Sequence, residues 1–127
     1  MALPKEHRLK RRQEFNAVYQ KGWRRSSPHL TLRGMRLAAA SDAQAGGTPL
    51  KPTQIGISIS QKVSKQAVVR NRIKRQLRAI LRQLLPYMAP GWRLIVVVKP
   101  GAAQCGYEQF LQELKQLLIN AEVINGY

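Results

Sequence analysis

The sequence predicts a single α+β domain, an α/β sandwich in which helices pack on one mixed central sheet in the order αββαβα. Two patterns carry this prediction. Apolar residues recur at three- and four-residue steps in three segments, which is typical of helices that bury one face. Three other segments alternate or run continuously apolar, as strands do. With 127 residues, 44% of them hydrophobic, the chain can bury one core, and we treat 1–127 as a single domain.

The N-terminal part is predicted to contain one helix and one strand. Residues 1–10 carry cations without apolar periodicity and are interpreted as a basic flexible arm. A short helix is expected over 13–21, ended by Gly22 in a left-handed C-cap. A strand is expected over 29–37, and Gly34 suggests a bulge because the apolar parity changes there.

The rest of the chain is predicted to contain two strands and two helices. Segment 38–52 has no periodicity and is interpreted as a mobile hairpin loop. Residues 53–60 alternate isoleucine with small polar residues, which predicts a strand with one buried face. A helix is expected over 67–85. The aliphatic run 94–98 is typical of a central strand covered on both faces, and a last helix is expected over 107–121.

The helix predicted over 67–85 has an unusual charge distribution. The cations along one flank of its apolar stripe are spaced four residues apart: Arg70, Lys74, Arg78 and Arg82. Like charges at this spacing repel each other, and no acid occurs between Asp42 and Glu108. Since the whole chain carries 22 Lys and Arg against six acids, a formal charge of +16, we expect a polyanionic partner, with nucleic acid as the first candidate. A merely solvated face usually mixes both signs.

The sequence contains no recognisable catalytic constellation. The six acids are scattered, which does not fit the paired carboxylates of a metal-dependent nuclease. His7 and His29 lie far apart in sequence and have no visible acid partner for proton transfer. The chain is therefore expected to be a binder with no catalytic or metal-ligating residues of its own.

The remaining composition points to the cytoplasm. Cys105 is the only cysteine, which excludes an internal disulfide and a cysteine-based zinc site and fits a reducing compartment. The longest apolar run, 94–98, is too short to span a bilayer, and no signal-peptide pattern is present. A membrane-surface role is disfavoured because the apolar face of the basic helix lacks aromatic anchors.

One motif carries a family resemblance. It resembles the RNR signature of the bacterial ribonuclease P protein component, and it reads Arg70-Asn71-Arg72-Ile73-Lys74-Arg75, followed by Arg78 and Arg82. Glu14-Phe15 with Tyr19 and Gly22 is similar to the first helix of that family, and the run 55–60 before Lys62 resembles the strand that precedes its basic helix. The likeness extends over about residues 9–121.

The resemblance implies a protein subunit of the endoribonuclease ribonuclease P. Such a subunit joins a catalytic RNA, one protein to one RNA, and assists removal of the 5′ leader from precursor tRNA. The RNA carries out the phosphodiester hydrolysis with Mg²⁺ held through RNA, so the protein alone needs no cofactor, and neither DNA nor a membrane is involved. The implied fold is ribosomal protein S5 domain 2-like with a left-handed βαβ crossover, against the general rule. A non-catalytic RNA-binding protein of ribosomal-protein type is the alternative function.

The resemblance also implies two RNA surfaces. The catalytic-RNA face is expected to comprise Arg70, Asn71, Arg72, Lys74, Arg75, Arg78, Arg82, Lys62 and Lys65. A leader-binding cleft between the first helix and the sheet is expected to comprise Phe15, Tyr19, Ser58, Ser60 and Gly56. Aromatic rings in such a cleft stack on unpaired bases. Read from the residues alone, Phe15 and Tyr19 are better explained as core residues four positions apart. The resemblance favours the cleft for Phe15 and leaves Tyr19 open between cleft and core. No residue is assigned a catalytic or metal-binding role.

Overall fold

The computed structural model describes residues 3–36 and 52–124, which form four strands and three α-helices. In chain order these are α1 (Arg12–Lys21), β1 (Trp23–Ser26), β2 (Leu30–Arg36), β3 (Gln54–Ser58), α2 (Ala67–Leu84), β4 (Trp92–Val98) and α3 (Tyr107–Asn120). The three predicted helices and three predicted strands are confirmed to within a few residues at each end. Strand β1 was missed because its four residues, Trp-Arg-Arg-Ser, contain one apolar side chain and no alternation.

The sheet is mixed, with the strand order β1-β2-β4-β3. Strands β1 and β2 and strands β2 and β4 pair antiparallel, whereas β3 and β4 pair parallel and are joined through α2 as a βαβ unit. The α+β class and the central position of β4 are thus confirmed. Strands β2 and β3 both pair with β4 and not with each other, so they do not form the predicted hairpin; most of segment 38–52 lies outside the described residues.

The two faces of the sheet are covered differently. Leu32, Leu94 and Val96 lie on one face, in a large core that helices α2 and α3 complete, and we call this the α2/α3 face. Ile95 lies on the opposite face beneath α1 and belongs to a small cluster with Leu9 and Val18; this is the α1 face. Because α1 is short, it covers the second face only in part.

Helix α2 is oriented by its apolar stripe. Ile73, Leu77, Ile80 and Leu84 are completely buried, and Val69 is half-buried, as their three- and four-residue spacing predicts. Burial of a stripe of this size fixes which flanks of the helix face solvent. The α-helix ends at Leu84 and continues as a single 3₁₀ turn over Leu85–Tyr87, which contains Pro86.

Residues 3–10 are packed against the sheet, so the prediction of a basic flexible arm was wrong for them. Leu3 and Leu9 are buried, and the Leu9 N–H donates a hydrogen bond to the Ile55 carbonyl (3.0 Å) on the outer edge of β3. The His7 Nδ1–H donates to the Thr53 carbonyl at 2.7 Å. Two isolated leucines in a charged stretch give no periodic signal, which is why the sequence did not reveal this packing.

Two glycine predictions were also wrong, for a common reason. Gly22 is extended (φ −86°, ψ 166°) and not left-handed, and Gly34 lies in an unbroken register with both neighbouring strands, without a bulge. Both are sites of close approach: a Cβ on Gly22 would lie 2.5 Å from the Gly34 carbonyl oxygen, and a Cβ on Gly34 would lie 2.6 Å from the Trp23 ring. The parity change near Gly34 arises because Leu32 and Met35 face opposite, separately covered sides of the sheet.

Candidate nucleic-acid interface

Helix α2 presents its cations on the surface that its buried stripe leaves free. Arg72, Arg75, Arg78 and Arg82 are exposed, Arg70 and Lys74 are half-buried, and Asn71 is exposed beside them. The helix contains no acidic residue. Lys62 and Lys65 are exposed in the turn that precedes it. The nine residues predicted for the catalytic-RNA face all lie within segment 62–82; in the structure seven of them are exposed, and Arg70 and Lys74 are half-buried.

Two of these arginines also hold the neighbouring backbone. The Arg70 guanidinium donates from Nη1 to the Ser64 carbonyl at 2.8 Å, which fixes the turn before α2. The Arg72 guanidinium donates from Nη2 to the Ala103 carbonyl at 2.6 Å, on the other side of the helix. A guanidinium carries five N–H donors, so each side chain retains donors for a further acceptor. Arg75 and Arg78 lie in the following turns of the helix and are exposed.

In the predicted leader cleft, Phe15 packs against the core and is also partly exposed at the surface. Its ring lies directly over Gly56: a Cβ at that glycine would come within 2.4 Å of Phe15 Cζ. The side chain packs against the cluster of Leu9, Val18 and Ile95, yet it remains half-buried. The two interpretations of Phe15, core residue and cleft wall, are therefore compatible.

The other residues predicted for the cleft are spread along the α1 face. Tyr19 is 38% exposed, which excludes a core role, and the Arg33 guanidinium stacks on its ring at 4.9 Å from the centroid. Ser58 is half-buried near the end of β3, and exposed Ser60 lies beyond it, where its Oγ accepts a hydrogen bond from the Lys62 N–H (3.2 Å). Arg33 was not predicted from the sequence, although its position in a strand whose neighbouring residues are apolar could have indicated it.

A pocket of about 390 Å³ joins the two predicted surfaces. From the cleft it is lined by Phe15 and Gly56, and from the catalytic-RNA face by Lys74 and Arg78. The packed N-terminal segment adds Arg8 and Lys10, which the sequence analysis did not assign to either surface. The apolar part of the lining comprises Leu3, Leu9, Ile55 and Ile57. Four cations around an apolar floor, without a carboxylate, form a site that suits a nucleotide.

The carboxylate of Glu113, in α3, has a structural role on the α2/α3 face of the sheet. It accepts hydrogen bonds from Ser27 Oγ (2.5 Å), the His29 N–H (2.9 Å), His29 Nδ1 (2.7 Å) and Gln109 Nε2 (2.6 Å). Burial by itself raises the pKa of this carboxyl, but the hydrogen bonds from Ser27, Gln109 and His29 outweigh it and lower the pKa to about 2. Glu113 is thus the acid partner of His29. The sequence did not reveal this pair because the two residues are 84 positions apart.

Two further structural features bear on function. None of the helices in the described part of the chain is long and apolar enough to cross a membrane. Within residues 3–36 and 52–124, no three or more histidine, cysteine, aspartate or glutamate side chains cluster so as to hold a metal ion.

The fold and this cationic surface define a small α+β protein of the nucleic-acid-binding class. Comparison with known proteins is more specific. Residues 3–122 match the family described as Ribonuclease P. The chain is 61% identical to the ribonuclease P protein component of a Cyanothece strain, over 98% of this chain and 99% of the relative. It is 54% identical to that of Microcystis aeruginosa, over 100% of both chains.

Solved structures show the same fold at lower identity. The RNase P protein of Staphylococcus aureus superposes with a TM-score of 0.79 at 24% identity, over 95% of this chain and 100% of that one. The Thermotoga maritima RNase P protein gives 0.73 at 19% identity, over 94% and 98%. The chain belongs to the ribonuclease P protein family. As a protein subunit of that enzyme it takes part in tRNA processing and associates with the RNase P RNA.

Proposed function

We propose that the protein holds the catalytic RNA and the 5′ leader of precursor tRNA on two surfaces that meet in one pocket. The segment 62–82 binds the catalytic RNA, and the cleft beside α1 binds the leader. One protein joins one RNA in the cytoplasm. The RNA, with Mg²⁺ bound through its own phosphates, hydrolyses the phosphodiester bond and leaves a 5′-phosphate on the mature tRNA.

The observation that carries this proposal is the pocket between the two surfaces. Lys74 and Arg78 of α2 share it with Phe15 and Gly56 of the cleft. An RNA backbone on α2 and a single strand beside Phe15 therefore approach the same four cations. The rise of an α-helix, ~1.5 Å per residue, spreads Arg70 to Arg82 over ~18 Å, which is enough to meet several phosphates.

The cleft favours a single strand without reading its sequence. The half-exposed Phe15 ring and the Tyr19 ring, backed by Arg33, offer flat surfaces to unpaired bases. Base–aromatic stacking contributes ~1–3 kcal/mol per base and tolerates any base. The absence of a side chain on Gly56 lets the end of the Phe15 ring approach the strand closely, where a leader nucleotide can reach it.

The contribution to hydrolysis is electrostatic. No carboxylate lines the pocket, so the described residues around it offer no paired acids to activate water. Its cations instead reduce the repulsion between two polyanions that meet there, a role that Mg²⁺ fills when the RNA acts alone. The benefit of the protein is therefore expected to be greatest at low Mg²⁺.

Reconstitution tests the proposal. A bacterial RNase P RNA is assayed on precursor tRNA across a Mg²⁺ series, with and without this protein. We expect a large rate increase at low Mg²⁺ that shrinks as Mg²⁺ rises, and no increase at low Mg²⁺ would refute the proposal. The holoenzyme should also bind leader-bearing precursor more tightly than mature tRNA. Equal affinities would favour the ribosomal-type RNA-binding alternative.

A further inference from the structure

Four side chains form a continuous stack across one face of the sheet, from the edge strand β1 over β2 to β4. The Arg25 guanidinium carbon lies 5.5 Å from the centroid of the Trp23 ring. Trp23 meets Trp92 edge to face, with the centroids 5.8 Å apart and the planes at 74°. The Arg36 guanidinium carbon lies 5.0 Å from the centroid of the Trp92 ring. We call this set, Arg25-Trp23-Trp92-Arg36, the arginine–tryptophan ladder.

The strand register builds the ladder. Trp23 pairs with Gly34, and Arg36 pairs with Trp92, so all four side chains project from the α2/α3 face. Gly34 makes room for the stack, since a Cβ there would lie 2.6 Å from the Trp23 ring. The absence of a side chain at position 34 thus serves the ladder directly.

The two arginines at its ends are exposed cations held in fixed orientations. Among the ion pairs formed by described residues, none involves Arg25 or Arg36. Arg25 donates from Nη1 to the Arg24 carbonyl (3.2 Å), which leaves its other N–H donors for a further acceptor. A guanidinium stacked on an indole loses less freedom when it binds a planar acceptor through its in-plane donors. Trp92 Nε1 is buried without an acceptor among the described residues. A phenylalanine would avoid that unpaired donor, but an indole face attracts a cation more strongly.

We propose that the arginine–tryptophan ladder is a further binding site for the catalytic RNA, where Arg25 and Arg36 each hold a backbone phosphate. This inference rests on the proposed function. The ladder projects from the same sheet face that α2 covers, whereas the leader cleft lies on the opposite, α1 face. The catalytic RNA is therefore the partner that can contact the ladder and the 62–82 segment together. Guanidinium groups bind phosphate oxygens in a bidentate manner, independent of base sequence.

The competing explanation is that the arginines merely cover two tryptophans, and the test must separate the two. Arg25→Ala and Arg36→Ala are compared with Arg24→Ala. Arg24 is exposed on β1 next to Arg25 and points to the α1 face. Its substitution removes the same charge as each ladder substitution. Affinity for the RNase P RNA is measured over a salt series. Each ladder substitution should lower the slope of log K against log salt by about one and weaken binding several-fold, whereas Arg24→Ala should leave the slope unchanged.

Other outcomes overturn the inference in distinguishable ways. If the ladder variants lower the melting temperature but keep the wild-type salt slope, the arginines only cover the tryptophans. If they change the preference for leader-bearing precursor and not the affinity for the catalytic RNA, the assigned partner is wrong. Arg75→Ala in α2 serves as the reference. If Arg75→Ala lowers the slope of log K against log salt and the ladder variants do not, only the ladder proposal is refuted. If neither Arg75→Ala nor the ladder variants lower the slope, the proposed function is refuted as well.

Discussion

Replacing Gly56 with alanine should damage stability and leader binding through a single contact. The added Cβ would lie 2.4 Å from Phe15 Cζ and 2.8 Å from Cε1, and 3.4 Å from the Leu9 Cβ. Carbon atoms do not approach within 3.0 Å without a shift. Because Phe15 also packs against Val18 and Ile95, the ring must tilt or move outward.

The expected loss of stability follows from overpacking. Forcing extra volume into a packed cluster costs about 1–3 kcal/mol, and we expect the lower half of that range because half-buried Phe15 can move towards solvent. For a domain of this size, roughly 3–5 °C of melting temperature correspond to each kcal/mol. Thermal unfolding monitored by circular dichroism would measure the shift.

The same displacement should weaken the leader site. If a stacked base contributes ~1–3 kcal/mol, partial loss of that stack should reduce the preference for leader-bearing precursor over mature tRNA by about 3- to 30-fold. Gly106→Ala is the matched control, since a Cβ there meets nothing within 4 Å. It should keep the leader preference. Equal preferences in the Gly56 and Gly106 variants would refute the reasoning.

A double substitution separates the two effects. Phe15→Leu in the Gly56→Ala background removes the ring that the new methyl group strikes. We expect it to restore part of the melting temperature but none of the leader preference, because the stacking surface is gone. Recovery of both would mean that Phe15 does not contact the leader.

Three further predictions concern single side chains. Phe15→Ala should lower the leader preference about 5- to 100-fold and leave the affinity for RNase P RNA nearly intact; a parallel loss of both affinities would contradict separate surfaces. Arg75→Ala should weaken RNase P RNA binding and lower its salt slope by about one with little change in melting temperature, whereas Arg72→Ala, which also frees the Ala103 carbonyl, should lower both. Because the pKa of Glu113 falls from 4.5 unfolded to about 2 folded, its carboxylate stabilises the fold fully above pH 4.5, and that stability is lost as the pH falls towards 2. Urea unfolding should therefore show Glu113→Gln less stable than wild type at pH 6 and the gap narrowing by roughly 2 kcal/mol at pH 3; a gap independent of pH would contradict the assignment.

The sequence predicted those elements whose signal is local. Helix α2 repeats its apolar side chains over five turns, and β4 is an unbroken aliphatic run, so each pattern suffices without knowledge of its neighbours. Strand β1 has no such pattern, and its pairing depends on β2 beside it. The packing of residues 3–10 depends likewise on Leu9 meeting the edge of β3.

The site could be predicted only in part for a related reason. The row of cations on α2 is visible in the sequence because helical geometry alone aligns it. The close contacts at Gly22, Gly34 and Gly56 were not visible in the sequence. At each position, atoms from another segment of the chain leave no room for a Cβ. The pair of His29 and Glu113 and the stacking of Arg33 on Tyr19 likewise exist only once the sheet has formed.

The pocket that joins the two surfaces is where the proposed mechanism expects the cations to act. At about 390 Å³ it has room for about one nucleotide. In the proposed mechanism, a catalytic-RNA backbone on Lys74 and a leader beside Phe15 would therefore lie within a few ångströms of each other. At that distance two phosphate backbones repel each other strongly, because salt at ordinary concentrations screens charges effectively only when they are more than ~8–10 Å apart. The cations around the pocket, Arg8, Lys10, Lys74 and Arg78, would offset this repulsion if both strands meet there as proposed. Loss of any one of them should therefore weaken the binding of the second RNA more when the first is present than when it is absent, a coupling that two surfaces without a shared pocket would not produce.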